Sequence, residues 1–305
     1  MRLISACLAV LWAGGLLWAQ PARQPRAATS SPTSLPATKF AAASPARVEK
    51  LRKLALSWAE ESKAFAPTIH LVETPHFLVF SAWEKSSDAP LSETCETMYR
   101  ALCSQFDIPP AQNIWAGKCA LYVFGEKEQF KRFTTEVDKA KLSEASGYCG
   151  GHSDGFCYIV LGPVRTRGFF HEMIVHEGTH AFMNRYLTNR RVPSWVQEGF
   201  AEYMAATLVP EAGANRKYLD ATKDAIKNRK DITPVFAEVE LKSFDYGIAQ
   251  SLVRYLIVRD RTAFAQFIKL LKEGKSEANA LQESYGLTRE TLVRDWTQTV
   301  ARNIR

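Results

Sequence analysis

The sequence predicts an α+β fold, with strands in the first half of the chain and helices in the second. Apolar runs bounded by turn residues predict strands at 76–80 and 120–124 and two more within 144–161. Helical periodicity fills the rest, which gives candidate helices at 48–66, 91–106, 126–136, 168–187, 195–207, 214–228, 246–259, 262–273, 277–284 and 289–303. Every strand precedes Gly162-Pro163, and this segregation favours α+β over an alternating α/β chain.

The N-terminus has the pattern of a secretory signal peptide over residues 1–20. A short basic start, Met1-Arg2, is followed by an apolar run from Leu3 to the small residue Ala19. The alternative is an uncleaved membrane anchor, although the run is at the short end for a spanning helix. We therefore expect a secreted or periplasmic protein without stable membrane insertion after signal cleavage.

A disordered linker is predicted at 21–47, which is rich in Pro, Ala, Ser and Thr and has no acidic residue. One domain then covers 48–305, with a strand-rich half at 48–165 and a helical half at 166–305. Residues 1–47 hold five of the 39 basic residues, which leaves 34 against 32 acidic ones in the domain. The pI near 9.0 therefore reflects the N-terminus, and we expect no nucleic-acid partner.

Five cysteines follow the leader, and export makes disulfides permissible. Cys149 and Cys157 flank a turn-rich segment between two strand-like runs, a spacing that suits a bridge across a hairpin. Cys119 then pairs with Cys95 or Cys103. The alternative is five buried free thiols. The spacing between cysteines is not the paired CxxC of a zinc site.

The segment 176–180 is an HExxH motif. On a helix, His176 and His180 lie one turn apart on the same face, so both imidazoles can reach one metal ion. Glu177 projects beside that pair, where it can polarise a water molecule and shuttle its proton. The motif predicts a metal site, against the alternative of two structural histidines.

A second helix is predicted to supply a third ligand. Ser194 and Gln197 have capping-box spacing, which places Glu198 just inside a helix, eighteen positions after His180. A catalytic zinc site has three protein ligands and an open position. Glu202 lies one turn further along, where it either orients a ligand histidine or is a solvated helix charge.

These two motifs, His-Glu-x-x-His at 176–180 and Trp-x-x-Glu-Gly-x-Ala-Glu-Tyr at 195–203, resemble those of the gluzincin zinc metallopeptidases, the peptidase MA-like families. M1 aminopeptidases are more distantly similar. The resemblance continues in the segment 245–251 and in the tail, and it covers about residues 70–303. The chain has no G-x-M-E-N segment, so aminopeptidase specificity is not implied.

The resemblance implies a zincin-like fold, Zn²⁺ as the cofactor and zinc ligation by His176, His180 and Glu198. It assigns Glu177 as the catalytic base. It also suggests Tyr246 as a hydrogen-bond donor to the oxyanion, although Gly247 follows this tyrosine directly and the M1 pattern differs there. A packed aromatic residue at a helix start is the alternative for Tyr246.

Two further histidines have simpler interpretations. His171 lies five positions before His176 and shares its face poorly, so we expect a structural role. His152 lies at the tip of the predicted hairpin, where a solvated loop residue is the simplest interpretation and a cleft-lining residue the alternative. An edge strand of this hairpin is a candidate to bind an extended peptide by β-augmentation.

The leading hypothesis is zinc-dependent hydrolysis of peptide bonds outside the cytoplasm, with Glu177 activating a zinc-bound water and a peptide or protein as substrate. The alternative is a zinc-stabilised, non-catalytic binding or scaffold module. Glu177 argues against that alternative, because a metal site without catalytic function needs its ligands but no general base. A third interpretation is a metal-free helical domain with an accidental motif.

Overall fold

The computed structural model describes residues 2–5, 43–109, 112–140, 145–164, 166–212, 214–237, 241–242 and 244–303. Most of the predicted signal peptide and linker, residues 6–42, therefore lies outside the described residues. Among the helices that are described, none is both long enough and apolar enough to cross a membrane.

The first half of the chain carries the strands. Its elements are β1 (Arg2–Ser5), α1 (Pro45–Ser62), β2 (His70–Glu73), β3 (Phe77–Ser81), α2 (Asp88–Gln105), β4 (Cys119–Val123), α3 (Lys127–Arg132), β5 (Gly147–His152) and β6 (Cys157–Leu161). A short π-helix, Phe133–Val137, continues α3. The predicted strands are confirmed to within a few residues. β2 was not predicted because it is only four residues long, and β1 was not predicted because it falls within the predicted signal peptide.

The second half is helical, as predicted. Its elements are α4 (Arg167–Arg185), α5 (Ser194–Leu208), α6 (Ala214–Lys227), α7 (Thr233–Ala237), α8 (Asp245–Arg259), α9 (Arg261–Glu273), α10 (Glu277–Tyr285) and α11 (Arg289–Asn303). α7 was not predicted, because five residues give no readable period, and neither was a single 3₁₀ turn at Pro210–Ala212. The α+β class is confirmed.

The described strands form one mixed sheet in the order β1-β5-β6-β4-β3-β2. β4 runs parallel to both β3 and β6, and the other pairs are antiparallel. Side chains of β4 alternate between two core clusters, with Leu121 on one face and Tyr122 on the other. The strands therefore read as continuous apolar runs because helices cover both faces.

Helix α1 covers one face of the sheet. It begins at Pro45, three residues before the predicted domain boundary, with the Ser44 hydroxyl accepting a hydrogen bond from the Arg47 amide. Trp58 packs into the aromatic cluster on that face, and the Tyr122 hydroxyl donates to the Ala55 carbonyl at 2.9 Å.

Helices α2 and α4 pack on the other face. The Thr166 hydroxyl caps α4 by accepting from the Phe169 amide. A Cβ at Gly178 would lie 2.1 Å from the Met98 sulfur, so the glycine lets α2 approach the middle of α4. The helix that carries the HExxH motif is thus held between the sheet and the C-terminal helices.

The predicted disulfide between Cys149 and Cys157 is wrong. The cysteines at 95, 103, 119, 149 and 157 are buried and unbridged. In the hairpin ladder Cys149 pairs with Ile159 and Cys157 with Gly151, so the two thiols are diagonal neighbours. Diagonal positions are about 7–8 Å apart, beyond the usual reach of a disulfide.

Candidate metal centre

Two histidines and one glutamate bring their ligand atoms together at the interface of α4 and α5. Nε2 of His176 lies 3.1 Å from Nε2 of His180. Oε2 of Glu198 lies 3.3 Å from His180 Nε2 and 3.7 Å from His176 Nε2. The three atoms lie within 4.8 Å of one another and form a group that could hold a metal ion. The structure therefore brings together all three predicted ligands.

Helix geometry explains this convergence. The four-residue spacing on α4 places both imidazoles on one face, with ring centroids 4.7 Å apart. Glu198 meets His180, whereas Glu202, one turn later on α5, meets the earlier residue His176. This reversed order shows that α5 runs antiparallel to α4 along the site.

A close contact between α5 and α8 fixes the position of Glu198 relative to the rest of the fold. A Cβ at Gly199 would lie 2.4 Å from the Ala249 carbonyl oxygen, which is a backbone atom that cannot move aside. Only glycine at this position lets the two helices approach so closely. The glycine that follows the third candidate ligand is therefore a packing requirement of its helix.

Gln197 contacts the site, although no pattern in the sequence indicated it. Helix α5 begins after Pro193 without a side-chain cap, so the predicted capping box is wrong. The Gln197 amide instead hydrogen-bonds Nδ1 of His180 at 2.9 Å. It occupies the ring nitrogen of His180 that faces away from the cluster and so orients the ring.

Glu202 holds the other histidine. Its Oε1 lies 3.4 Å from Nδ1 of His176, and the residue is only 8% exposed. This burial rules out the solvated helix charge and favours the orienting role. Burial raises the pKa of Glu202 to about 8, against a hydrogen bond from the Tyr218 hydroxyl that lowers it.

Two further side chains near the site were not predicted from the sequence. Tyr218 of α6 is buried and donates its hydroxyl hydrogen bond to Glu202. Glu172 is buried on α4 and its charge acts on Glu202 and Tyr218. Glu172 stands four positions before His176, a spacing that was readable, whereas no local pattern marks Tyr218.

Glu177 is deeply buried beside the cluster, at 1% exposure. Neither carboxylate oxygen has a well-formed side-chain hydrogen bond, although the Cys149 backbone lies close enough to lower the pKa slightly. Burial raises its pKa to about 8, although His180 opposes the shift. An ionisable group left this way in a polar cluster is typical of a functional site, because a structural role would require partners.

The two histidines differ in their electrostatics. Burial lowers the pKa of His176 to about 3, and the neighbouring His180 adds to this effect. For His180 burial also lowers the pKa, but the facing carboxylates, Glu198 above all, outweigh it and the net shift is upward. A neutral His176 is in the protonation state that metal ligation needs.

The remaining predicted residues lie around this centre. Tyr246 is partly buried at the start of α8, in the neighbourhood of Tyr218. His171 points towards α2, where its Nδ1 lies 2.7 Å from the Thr94 hydroxyl, in agreement with a structural role. The prediction that His152 is solvated is wrong, because its ring packs 5.3 Å from that of Phe156 and edge-on to Trp58.

No protein-family profile matches this chain, and no curated protein matches it significantly. What the structure establishes is an α+β domain with a His/His/Glu group suited to a metal ion.

Proposed function

We propose that this chain is an exported zinc-dependent peptidase of the gluzincin type, with a zincin-like fold. The observation that carries the proposal is the convergence of His176, His180 and Glu198 beside the buried, unsatisfied carboxylate of Glu177. Peptide-bond hydrolysis needs both a metal held by three ligands and a nearby base, and this cluster offers both.

The spacing of the ligand atoms fits zinc. Ligands that lie 2.0–2.1 Å from a tetrahedral zinc ion are about 3.3 Å apart. The observed separations among His176, His180 and Glu198 are 3.1, 3.3 and 3.7 Å. Two imidazoles and one carboxylate also suit zinc better than Mg²⁺ or Ca²⁺, which prefer oxygen ligands.

The side chains of Gln197 and Glu202 lie at the Nδ1 atoms of the two histidines, which leaves both Nε2 atoms for a metal ion. Oε1 of Glu202, 3.4 Å from His176 Nδ1, is placed to accept the proton of that nitrogen. At His180 the amide nitrogen of Gln197 faces Nδ1, so the metal-binding tautomer requires the amide to turn and present its oxygen. Such outer partners raise the basicity of the ligands and fix the orientation of the rings.

A zinc ion held by His176, His180 and Glu198 would act as a Lewis acid towards a peptide carbonyl and a water molecule. Glu177 would accept the proton of the water as its oxygen bonds to the carbonyl carbon, and would return it to the amine nitrogen as the C–N bond breaks. Its burial keeps bulk water from competing for this proton. Tyr246 remains the candidate donor to the oxyanion.

The sheet edge beside α4 supports a peptide substrate. Strand β5 contacts α4, and β1 pairs with β5 in antiparallel register, Ser5 opposite Cys149. This edge therefore has backbone groups that accept an added strand. Signal cleavage would remove β1 and leave the edge to an extended peptide, bound by β-augmentation.

The alternative, a zinc-stabilised scaffold without catalysis, explains the three ligands but not Glu177. A buried carboxyl group with so little hydrogen bonding is destabilising, by roughly 1–3 kcal/mol. A scaffold would gain nothing from keeping it, whereas a peptidase requires it.

The test uses the exported protein after purification. We expect about one zinc per chain by elemental analysis, and cleavage of a mixed peptide library that a chelator abolishes and added zinc restores. The cleavage sites would also distinguish endopeptidase from exopeptidase action. Zinc binding without any cleavage would favour the scaffold, and a metal-free protein would contradict both proposals.

A further inference from the structure

We infer that Tyr218 is a positioning residue for the metal centre, which acts through Glu202 on the imidazole of His176. The inference rests on metal binding at the proposed site. It adds to that site a residue from α6, a helix that carries none of the candidate ligands.

The contacts form a chain across three helices. The Tyr218 hydroxyl on α6 donates a hydrogen bond to the Glu202 carboxylate on α5. Oε1 of Glu202 in turn lies 3.4 Å from Nδ1 of His176 on α4. All three side chains are largely enclosed, since Tyr218 and Glu202 are each 8% exposed and the His176 side chain 12%. Little water can replace a lost contact.

The backbone of α6 at Tyr218 packs closely against α8. A Cβ at Gly247 would lie 3.2 Å from the Tyr218 Cα, so α8 meets α6 at this residue. The Thr222 hydroxyl donates to the Tyr218 carbonyl at 2.8 Å and also reaches the Gly247 carbonyl at 3.3 Å. Tyr218 is therefore held in place independently of its hydroxyl group.

Glu202 needs such a donor because its surroundings are acidic. The buried Glu172 and the candidate ligand Glu198 both face it, and they repel its carboxylate. A phenol that donates to Glu202 opposes this repulsion and fixes the orientation of the carboxylate. Oε1 then stays at His176 Nδ1 and keeps Nε2 directed at the ligand cluster.

The decisive variant is Tyr218→Phe, which removes one hydroxyl and keeps the ring that packs at Gly247. We expect the metal-free variant to bind Zn²⁺ about 10-fold more weakly than the wild type, at the lower end of the range for outer contacts. We also expect the visible absorption spectrum of the Co²⁺-substituted protein to change, because a reoriented imidazole alters the ligand field.

Tyr285→Phe is the matched control. The Tyr285 hydroxyl also donates to backbone carbonyls, at 2.9 Å to Leu256 and 3.1 Å to Asp260. Its loss lowers the melting temperature of the metal-free protein without changing Zn²⁺ affinity or the Co²⁺ spectrum. Equal loss of affinity in both variants would overturn the proposal, because a general loosening of the fold would then explain it.

A double-mutant cycle shows whether Tyr218 acts through Glu202. In a Glu202→Ala background the added Tyr218→Phe change should have no further effect on Zn²⁺ affinity. Additive losses would contradict the proposed chain of contacts. If the wild type binds metal and Tyr218→Phe binds it equally well, this inference alone fails, whereas a wild type that binds no metal overturns the proposed function itself.

Discussion

The Gln197 amide hydrogen-bonds Nδ1 of His180 at 2.9 Å, one residue before the candidate ligand Glu198. The same turn of α5 therefore provides a ligand atom and the group that orients another ligand. On the facing side Glu202 contacts His176, so each imidazole has its own partner on α5. The α4–α5 interface is thus the structural basis of the candidate metal centre.

Glu177→Gln should keep zinc and lose nearly all peptidase activity. Glu177 is not one of the three converging ligands, and an amide cannot accept the proton from water. Zinc content by elemental analysis and turnover of a peptide substrate measure the two effects. Near-normal turnover in a zinc-loaded variant would exclude Glu177 as the base.

Glu198→Ala should weaken zinc binding more than Glu202→Ala. The first change leaves two neutral imidazoles to hold the ion, whereas the second removes only a contact to His176 Nδ1. Loss of an outer contact costs about 10–100-fold in affinity or activity. Competition with a chromophoric chelator measures both affinities, and the reverse order would make Glu202 the ligand.

Gly199→Ala should destabilise the protein by about 1–3 kcal/mol and weaken metal binding, because the new methyl group meets the Ala249 backbone. Gly178→Ala is the matched control on α4. There the methyl group meets the end of the Met98 side chain, which is buried but flexible, and makes ordinary contact with Ile159, so we expect a smaller loss than from a clash with backbone. Chemical denaturation and zinc titration of both variants test this difference.

Stability should rise with pH above about 7 because of Lys272. Burial lowers the pKa of this side chain to about 7, while its ammonium nitrogen contacts the carbonyls of Met183 and Arg190. Between pH 7 and about 10.4 the unfolded chain binds a proton that the native protein does not, so the free energy of unfolding increases with pH.

Lys272→Met should therefore reduce this pH slope, by up to about 1.4 kcal/mol per pH unit. Lys275→Met is the control, since Lys275 is exposed and pairs with Glu283. Urea unfolding of the metal-free protein from pH 7 to 9 gives the slopes. Identical slopes in the wild type and Lys272→Met would show that the lysine is charged in both states.

The thiols at 95, 103, 119, 149 and 157 should resist alkylation in the native protein and react after unfolding without reductant. They are buried and unbridged, and burial raises the pKa of Cys149 well above its ordinary value, which removes the reactive thiolate. Mass spectrometry after alkylation counts them. A bridge between Cys149 and Cys157 would leave both unmodified after unfolding and would contradict the described register.

The candidate metal-binding cluster was predictable because its chemistry is local. Two histidines at helical spacing share a face wherever the helix lies, so His176 and His180 converge from sequence alone. Glu198 was predictable from its position at the start of the next helix and from the resemblance of both motifs to those of gluzincins. Long helices were predicted to within a few residues because their apolar period extends over several turns.

Only the tertiary structure decided which other side chains touch these residues. The sequence carries the period of each helix, but not the angle or depth at which two helices pack. Because of that packing, Gln197 contacts His180 instead of capping a helix, and Tyr218 of α6 contacts Glu202. Cys149 and Cys157 occupy diagonal positions of the strand ladder. Such contacts depend on ladder register and on close approaches at Gly199 and Gly247, which arise from the sum of many long-range contacts and leave no local pattern.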